Sequence, residues 1–111
     1  MTDLTKSKYV ACHAGDPTVS TGQREALMLQ LPGWEITGSD GIDQLRRVFH
    51  FKNFQEALAF TNRVGDLAEE HGHHPELTTE WGRVTVVWWS HEIRGLHLND
   101  FIMAAQTSQL I

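Results

Sequence analysis

Residues 76–89 read Glu76-Leu-Thr-Thr-Glu-Trp-Gly-Arg-Val-Thr-Val-Val-Trp-Trp89, two strands folded back on one another near Trp81-Gly82. The run Thr85, Val86, Val87, Trp88 and Trp89 carries branched and aromatic side chains that suit a pleated, half-buried surface. Strand alternation sends Val84, Val86 and Trp88 to one face. It sends Thr85, Val87, Trp89 and, continuing the count, His91 to the other. A turn this tight makes the two strands antiparallel.

Working outward, a second hairpin lies upstream. Trp34-Glu-Ile-Thr37 is a short strand, Gly38-Ser-Asp-Gly41 a turn, and residues 43–51 a longer strand with Leu45, Phe49 and Phe51 on one face. Between the hairpins, Asn53 opens the longest helix with Glu56 three residues on. Phe54, Leu58, Thr61, Val64, Leu67 and Ala68 recur at helical spacing and are expected to form its core face. Pro75 requires that helix to end by about His73. Ser20 and Gln23 have capping-box spacing ahead of a helix over 21–30, which Pro32-Gly33 stops. Gly95 allows a bend, and Phe101, Ile102 and Ala105 give a last short helix an apolar side. Residues 1–19 are expected to form a loose arm with little core of its own. The order α-β-β-α-β-β-α, with helices able to cover one side of apolar strands, gives a two-layer α+β fold. The uncovered side or an edge strand is a natural place for a subunit contact.

The 111 residues fit one domain, 1–111, and are 41% hydrophobic and 21% charged, a globular balance. Nine Lys and Arg against 14 Asp and Glu leave a formal charge of -5, which excludes a chain-wide basic footprint for nucleic acid. No apolar run approaches the ~18 residues of a membrane span. Met1-Thr-Asp-Leu-Thr-Lys6 lacks the apolar core of a signal peptide. A single Cys12 without C-x-x-C points to a reducing, cytoplasmic setting.

The segment Glu69-Glu-His-Gly-His-His-Pro75 sits where the long helix gives way to a strand, and His91 follows the exit of that strand's hairpin partner. A hairpin sets the entry of its first strand beside the exit of its second, so His73, His74 and His91 are expected to converge. Imidazole titrates near neutrality, and a pair held in opposite protonation states can give and take a proton in one turnover. G-x-S-x-G, G-x-G-x-x-G and the P-loop are all absent, so proton shuffling fits better than acyl or phosphoryl transfer. His71, His73, His74 and His91 could instead bind zinc, but His73-His74 straddle a helix end without H-x-x-x-H spacing and no cysteine assists. No metal is expected.

These motifs resemble the pterin-4a-carbinolamine dehydratase family. The resemblance rests on Glu69–Pro75, Trp81-Gly-Arg-Val84, Ser90-His-Glu-Ile-Arg-Gly-Leu96 and Asp100, and extends from about Ser20 to Gln109 through Pro-Gly-Trp34 and Phe49-His-Phe-Lys-Asn-Phe54. It is greatest to bacterial members that accompany phenylalanine hydroxylase. It implies a four-stranded antiparallel sheet with helices on one face, and a homodimer or homotetramer. The implied reaction removes water from 4a-hydroxytetrahydrobiopterin to give quinonoid dihydropterin; pterin is the substrate and no cofactor is needed. By position, His73, His74 and His91 match the family's catalytic histidines. Pro75, Ser90, Glu92 and Ile93 match its substrate contacts, and Glu69, Asp100 and Trp34 more peripheral site positions. The chain departs at His97, where many relatives place a Ser or Thr cap, and at Gly72, where many have Asn or Asp. The competing expectation is a non-catalytic dimerisation or assembly protein, of the kind that acts as a transcriptional coactivator.

Overall fold

The computed structural model describes residues 4–6 and 18–111. Helix α1 (Thr21–Met28) begins at a complete capping box, Gln23 N donating to Ser20 Oγ and Ser20 N to Gln23 Oε1. It ends two residues short of the expected span. Strands β1 (Glu35–Ser39) and β2 (Ile42–His50) follow, paired Ser39 to Ile42 around Asp40-Gly41. Both turn residues have positive φ, 53° and 77°, the geometry that Asp-Gly tolerates and that matches the twist of a hairpin.

Helix α2 (Phe54–His71) starts where Asn53 Oδ1 accepts from Glu56 N at 2.9 Å. Its core face matches the expected one at Val64, Leu67 and Ala68 and differs toward the N-terminus. Ala57, Phe60, Val64 and Ala68 are buried, whereas Phe54 and Leu58 are 45% and 43% exposed. The helix is rotated so that the Phe60 ring meets Phe49 and Phe51 of the preceding strand segment, with centroids 4.7 and 5.0 Å away. That aromatic cluster outweighs the aliphatic stripe.

Strands β3 (Glu76–Glu80) and β4 (Arg83–Trp88) turn at Trp81-Gly82. Gly82 has φ 73°, and a Cβ there would stand 3.1 Å from the Phe51 carbonyl oxygen. Arg83 clasps Glu80 across the turn, which holds that carboxyl below its usual range and pushes the guanidinium up. Helix α3 (Leu98–Ser108) closes the chain.

The result is an α+β fold with a four-stranded antiparallel sheet in the order β1-β2-β4-β3. After α2 the chain enters the far edge as β3 and returns inward as β4. The polar Glu-Leu-Thr-Thr-Glu run thereby takes the edge, and the apolar Val84–Trp88 run the interior. Val84, Val86, Trp88, Leu45 and Phe49 face the helices in one core. Arg47 lies over Phe49 at 4.4 Å and donates to Ser108 Oγ, and its partial burial lowers its pKa. Of the arm expected over 1–19, residues 1–3 and 7–17, Cys12 among them, lie outside the described residues. Leu4–Lys6 form a 3-10 turn in which Leu4 is wholly buried in the core, its N–H donating to Gln30 Oε1. No described helix is long and apolar enough to cross a membrane.

Candidate active site

The end of α2 sets the first histidine. Gly72 caps the helix in the left-handed region at φ 65°, and His73 N reaches back to the Ala68 carbonyl at 3.2 Å. This closing turn reverses the chain and sends His73 inward. Its ring stacks on Trp88, 5.6 Å between centroids and 12° between planes. Its Nε2 lies 2.6 Å from Oδ1 of Asp100.

Asp100 is fully buried and is fixed from three sides. Ser90 Oγ donates to Oδ2 at 2.7 Å and His97 N donates to the same oxygen at 2.9 Å. An ionised carboxylate only accepts, so Nε2 of His73 carries the proton that completes the set. His97 is the N-cap of α3, its Nδ1 accepting from Asn99 N at 3.1 Å. The imidazole therefore does the work of the usual Ser or Thr hydroxyl, and the capping box aims Asp100 at His73.

His74 points elsewhere. It is exposed, with Nε2 3.4 Å from Glu69 Oε2, and it lines an open cavity of about 440 Å³ between α2 and β3. Pro75 and Leu77 continue the β3 wall, and Asn62, Gly65, Asp66 and Glu69 form the α2 wall. Below them Thr61 and Thr79 share a hydrogen bond of 2.6 Å that ties the two walls together. Gly65 is an interior helix residue. Alanine would favour the helix there by about 1 kcal/mol, and a Cβ would meet no atom within 4 Å.

His91 leaves β4 through Ser90, whose backbone pairs in both directions with Gly95. The four residues between form a closed turn with Arg94 at φ 54°. The His91 ring packs on Trp89 at 4.4 Å. The β3–β4 pairing starts at Glu76 opposite Val87, so the chain entering β3 after His74 and the chain leaving β4 toward His91 lie at the same end of the hairpin. Glu92 is exposed and Ile93 half-buried in the same turn.

The sequence-derived residues thus fall into groups. Asp100 gathers His73 and Ser90 in the interior. His74, Pro75 and Glu69 share the cavity, and His91, Glu92 and Ile93 share the closing turn; the expected convergence of His73, His74 and His91 is not seen in that cavity, whose lining holds His74 alone of the three. Trp34 belongs to none of them: it is buried beside Phe49 and donates to Ser108 Oγ at 2.8 Å, the surroundings of a core residue. The cavity lining also includes Asn62, Gly65 and Asp66, which the sequence reading did not single out. The signal was a glycine inside a helix, flanked at i−3 and i+1 by polar groups on the stripe that leads to Glu69. Among the described residues no group of three or more His, Cys, Asp or Glu side chains is disposed to hold a metal ion.

Residues 17–110 match the family model for pterin 4 alpha carbinolamine dehydratase. Among solved structures, a Brucella melitensis protein described as a transcriptional coactivator/pterin dehydratase is similar over 85% of this chain and 98% of its own, with 28% identity and a TM-score of 0.76. A pterin dehydratase-like protein described as a RuBisCO assembly factor of the alpha-carboxysome shares the fold over 73% of this chain and 92% of its own, with 22% identity and a TM-score of 0.61. The chain belongs to the pterin 4 alpha carbinolamine dehydratase family.

Proposed function

We propose that this member of the family dehydrates 4a-hydroxytetrahydrobiopterin to quinonoid dihydropterin by histidine acid–base catalysis. The observation that carries the reading is that His73-His74-Pro75, His91 and Asp100 all stand in one chain of this family, with Asp100 buried and held by three donors that include His73. The step needs no redox partner. The N5 proton passes to one imidazole, the N5–C4a double bond forms, the C4a–O bond breaks, and a second imidazolium protonates the departing hydroxyl. The exposed His74 and His91 carry these two proton transfers. The buried His73, locked on Asp100 and stacked on Trp88, orients the site. The enzyme works as a homodimer or homotetramer in the cytoplasm and returns pterin to the tetrahydrobiopterin cycle of phenylalanine hydroxylase.

The test is a stopped-flow assay with synthetic 4a-hydroxytetrahydropterin. The purified chain is expected to accelerate water loss well above the spontaneous rate; a rate equal to the uncatalysed one refutes the reading. A second, non-catalytic role as a coactivator-type assembly partner draws its support from the double description of the 28% identical Brucella protein. It accounts less well for the intact set of histidines.

A further inference from the structure

We propose that His97 is a positioning residue that makes the grip on His73 depend on pH: its imidazole supports the Asp100–His73 pair only while it is neutral. The inference goes beyond the dehydratase reading and rests on that reading only for its kinetic readout.

Three observations carry it. The first is the direction of the cap. Nδ1 of His97 accepts from Asn99 N at 3.1 Å, so that nitrogen holds a lone pair and the ring carries its single proton on Nε2. A Ser or Thr hydroxyl accepts at any pH. An imidazole gives up its acceptor in the range where it titrates. The second is the continuity of the bonds. His97 also donates its backbone N–H to Oδ2 of Asp100 at 2.9 Å, and Oδ1 of Asp100 lies 2.6 Å from Nε2 of His73. One residue therefore fixes the first turn of α3 with its side chain, and with its backbone the carboxylate that grips His73. The third is access. His97 is half-buried, whereas Asp100 is fully buried and His73 is 5% exposed. Solvent protons reach the cap more readily than the pair it supports.

Protonation turns Nδ1 into a donor facing the N–H of Asn99. It also sets a positive charge at the positive end of an 11-residue helix. Both effects release the first turn. The carboxylate of Asp100 attracts an imidazolium, but the ring must leave Asn99 N to reach it. It would then compete for an oxygen already taken by Ser90 Oγ and His97 N, so this attraction also undoes the cap. Among the described residues, the other titratable groups around the start of α3 are His73 behind Asp100, His91, Glu92 and Arg94 in the preceding turn, and Lys6 on the 3-10 turn packed against α3. Residues 18–20, which pair with Leu96 through Val19 N, bring no charge. His97 thus supports the site above the imidazole range and ceases to support it as pH falls through that range.

The full-length chain is compared with His97→Ser and His97→Asn, caps that do not titrate, and with His97→Ala, which has no acceptor at any pH. Each protein is assayed for kcat and Tm at pH 7.5 and pH 5.5. His73, His74 and His91 titrate in all of them, so the difference between proteins isolates His97. Between the two pH values the wild type is expected to lose about fivefold more kcat than the Ser and Asn variants, the worth of one cap. Its Tm should fall about 4 °C further than theirs. At pH 7.5 His97→Ala should already show a kcat about fivefold below His97→Ser. Equal pH dependence in wild type and both capped variants overturns the proposal. So does a difference confined to Tm, which would leave His97 a structural cap with no hold on the site. Failure of both capped variants to fold overturns it as well, because an acceptor alone would then not replace the ring. Should the wild type show no turnover, the dehydratase reading has failed on its own. Proton NMR of the His73 Nε2–H then decides this one. Exchange with water that is about fivefold faster at pH 5.5 in wild type than in His97→Ser supports it, and equal exchange or no protected proton overturns it.

Discussion

Asp100 is the residue on which the interior of the site depends. A buried carboxylate is costly unless its lone pairs are met, and here Ser90, His97 and His73 meet them. The sequence named the aspartate and His73 as candidate site residues, and the structure brings the two into contact. The donors that hold them were only partly legible, because Ser90 and the His97 backbone reach Asp100 through a closed turn whose geometry no motif encodes. His97 illustrates the limit: an imidazole is an unusual cap, yet its Nδ1 and backbone N–H do what a hydroxyl residue would do. Asp100→Asn keeps the shape but turns an NH2 group toward one of the three donors. We expect a loss of about 3 kcal/mol in urea unfolding, together with loss of turnover. Unaltered stability would mean that the carboxylate is not the keystone described.

At the scale of elements, the α2–β3 junction converts a helix into a strand within four residues and faces its two histidines differently. Gly72 makes this possible by adopting φ 65°, where a Cβ would touch nothing within 4 Å. The only cost of a side chain there is conformational, so asparagine, which tolerates this region, would fit better than other side chains. Gly72→Ala is expected to destabilise the fold by about 1 kcal/mol and Gly72→Asn by less than half of that, both by chemical denaturation. Equal losses would point to a steric cause instead. Hairpins and helix starts were readable because their signals are local: Asp40-Gly41, Trp81-Gly82, the Ser20 box and the Asn53 cap. The N-terminal part of the α2 core face, Phe54 and Leu58, was misread for the opposite reason. Periodicity gave two overlapping stripes, and only Phe49 and Phe51, brought up from another element, select the one that contains Phe60.

At the scale of the molecule, the sheet order and the burial of Leu4 are long-range outcomes that the one-dimensional pattern leaves open. The antiparallel β3–β4 hairpin is what sets the two candidate residues at one end of the sheet. It brings the start of β3, with His74, beside the end of β4, with His91, although the two lie 17 positions apart in the chain. The account stands or falls on whether these two imidazoles act on one substrate, and a double-mutant cycle measures that directly. In the stopped-flow dehydration assay, His74→Ala and His91→Ala are each expected to lower kcat by roughly 10²- to 10⁴-fold. The double variant should be little worse than the poorer single one, because the acid and the base serve one step. Near-native rates in both single variants, or losses that multiply in the double variant, would contradict it.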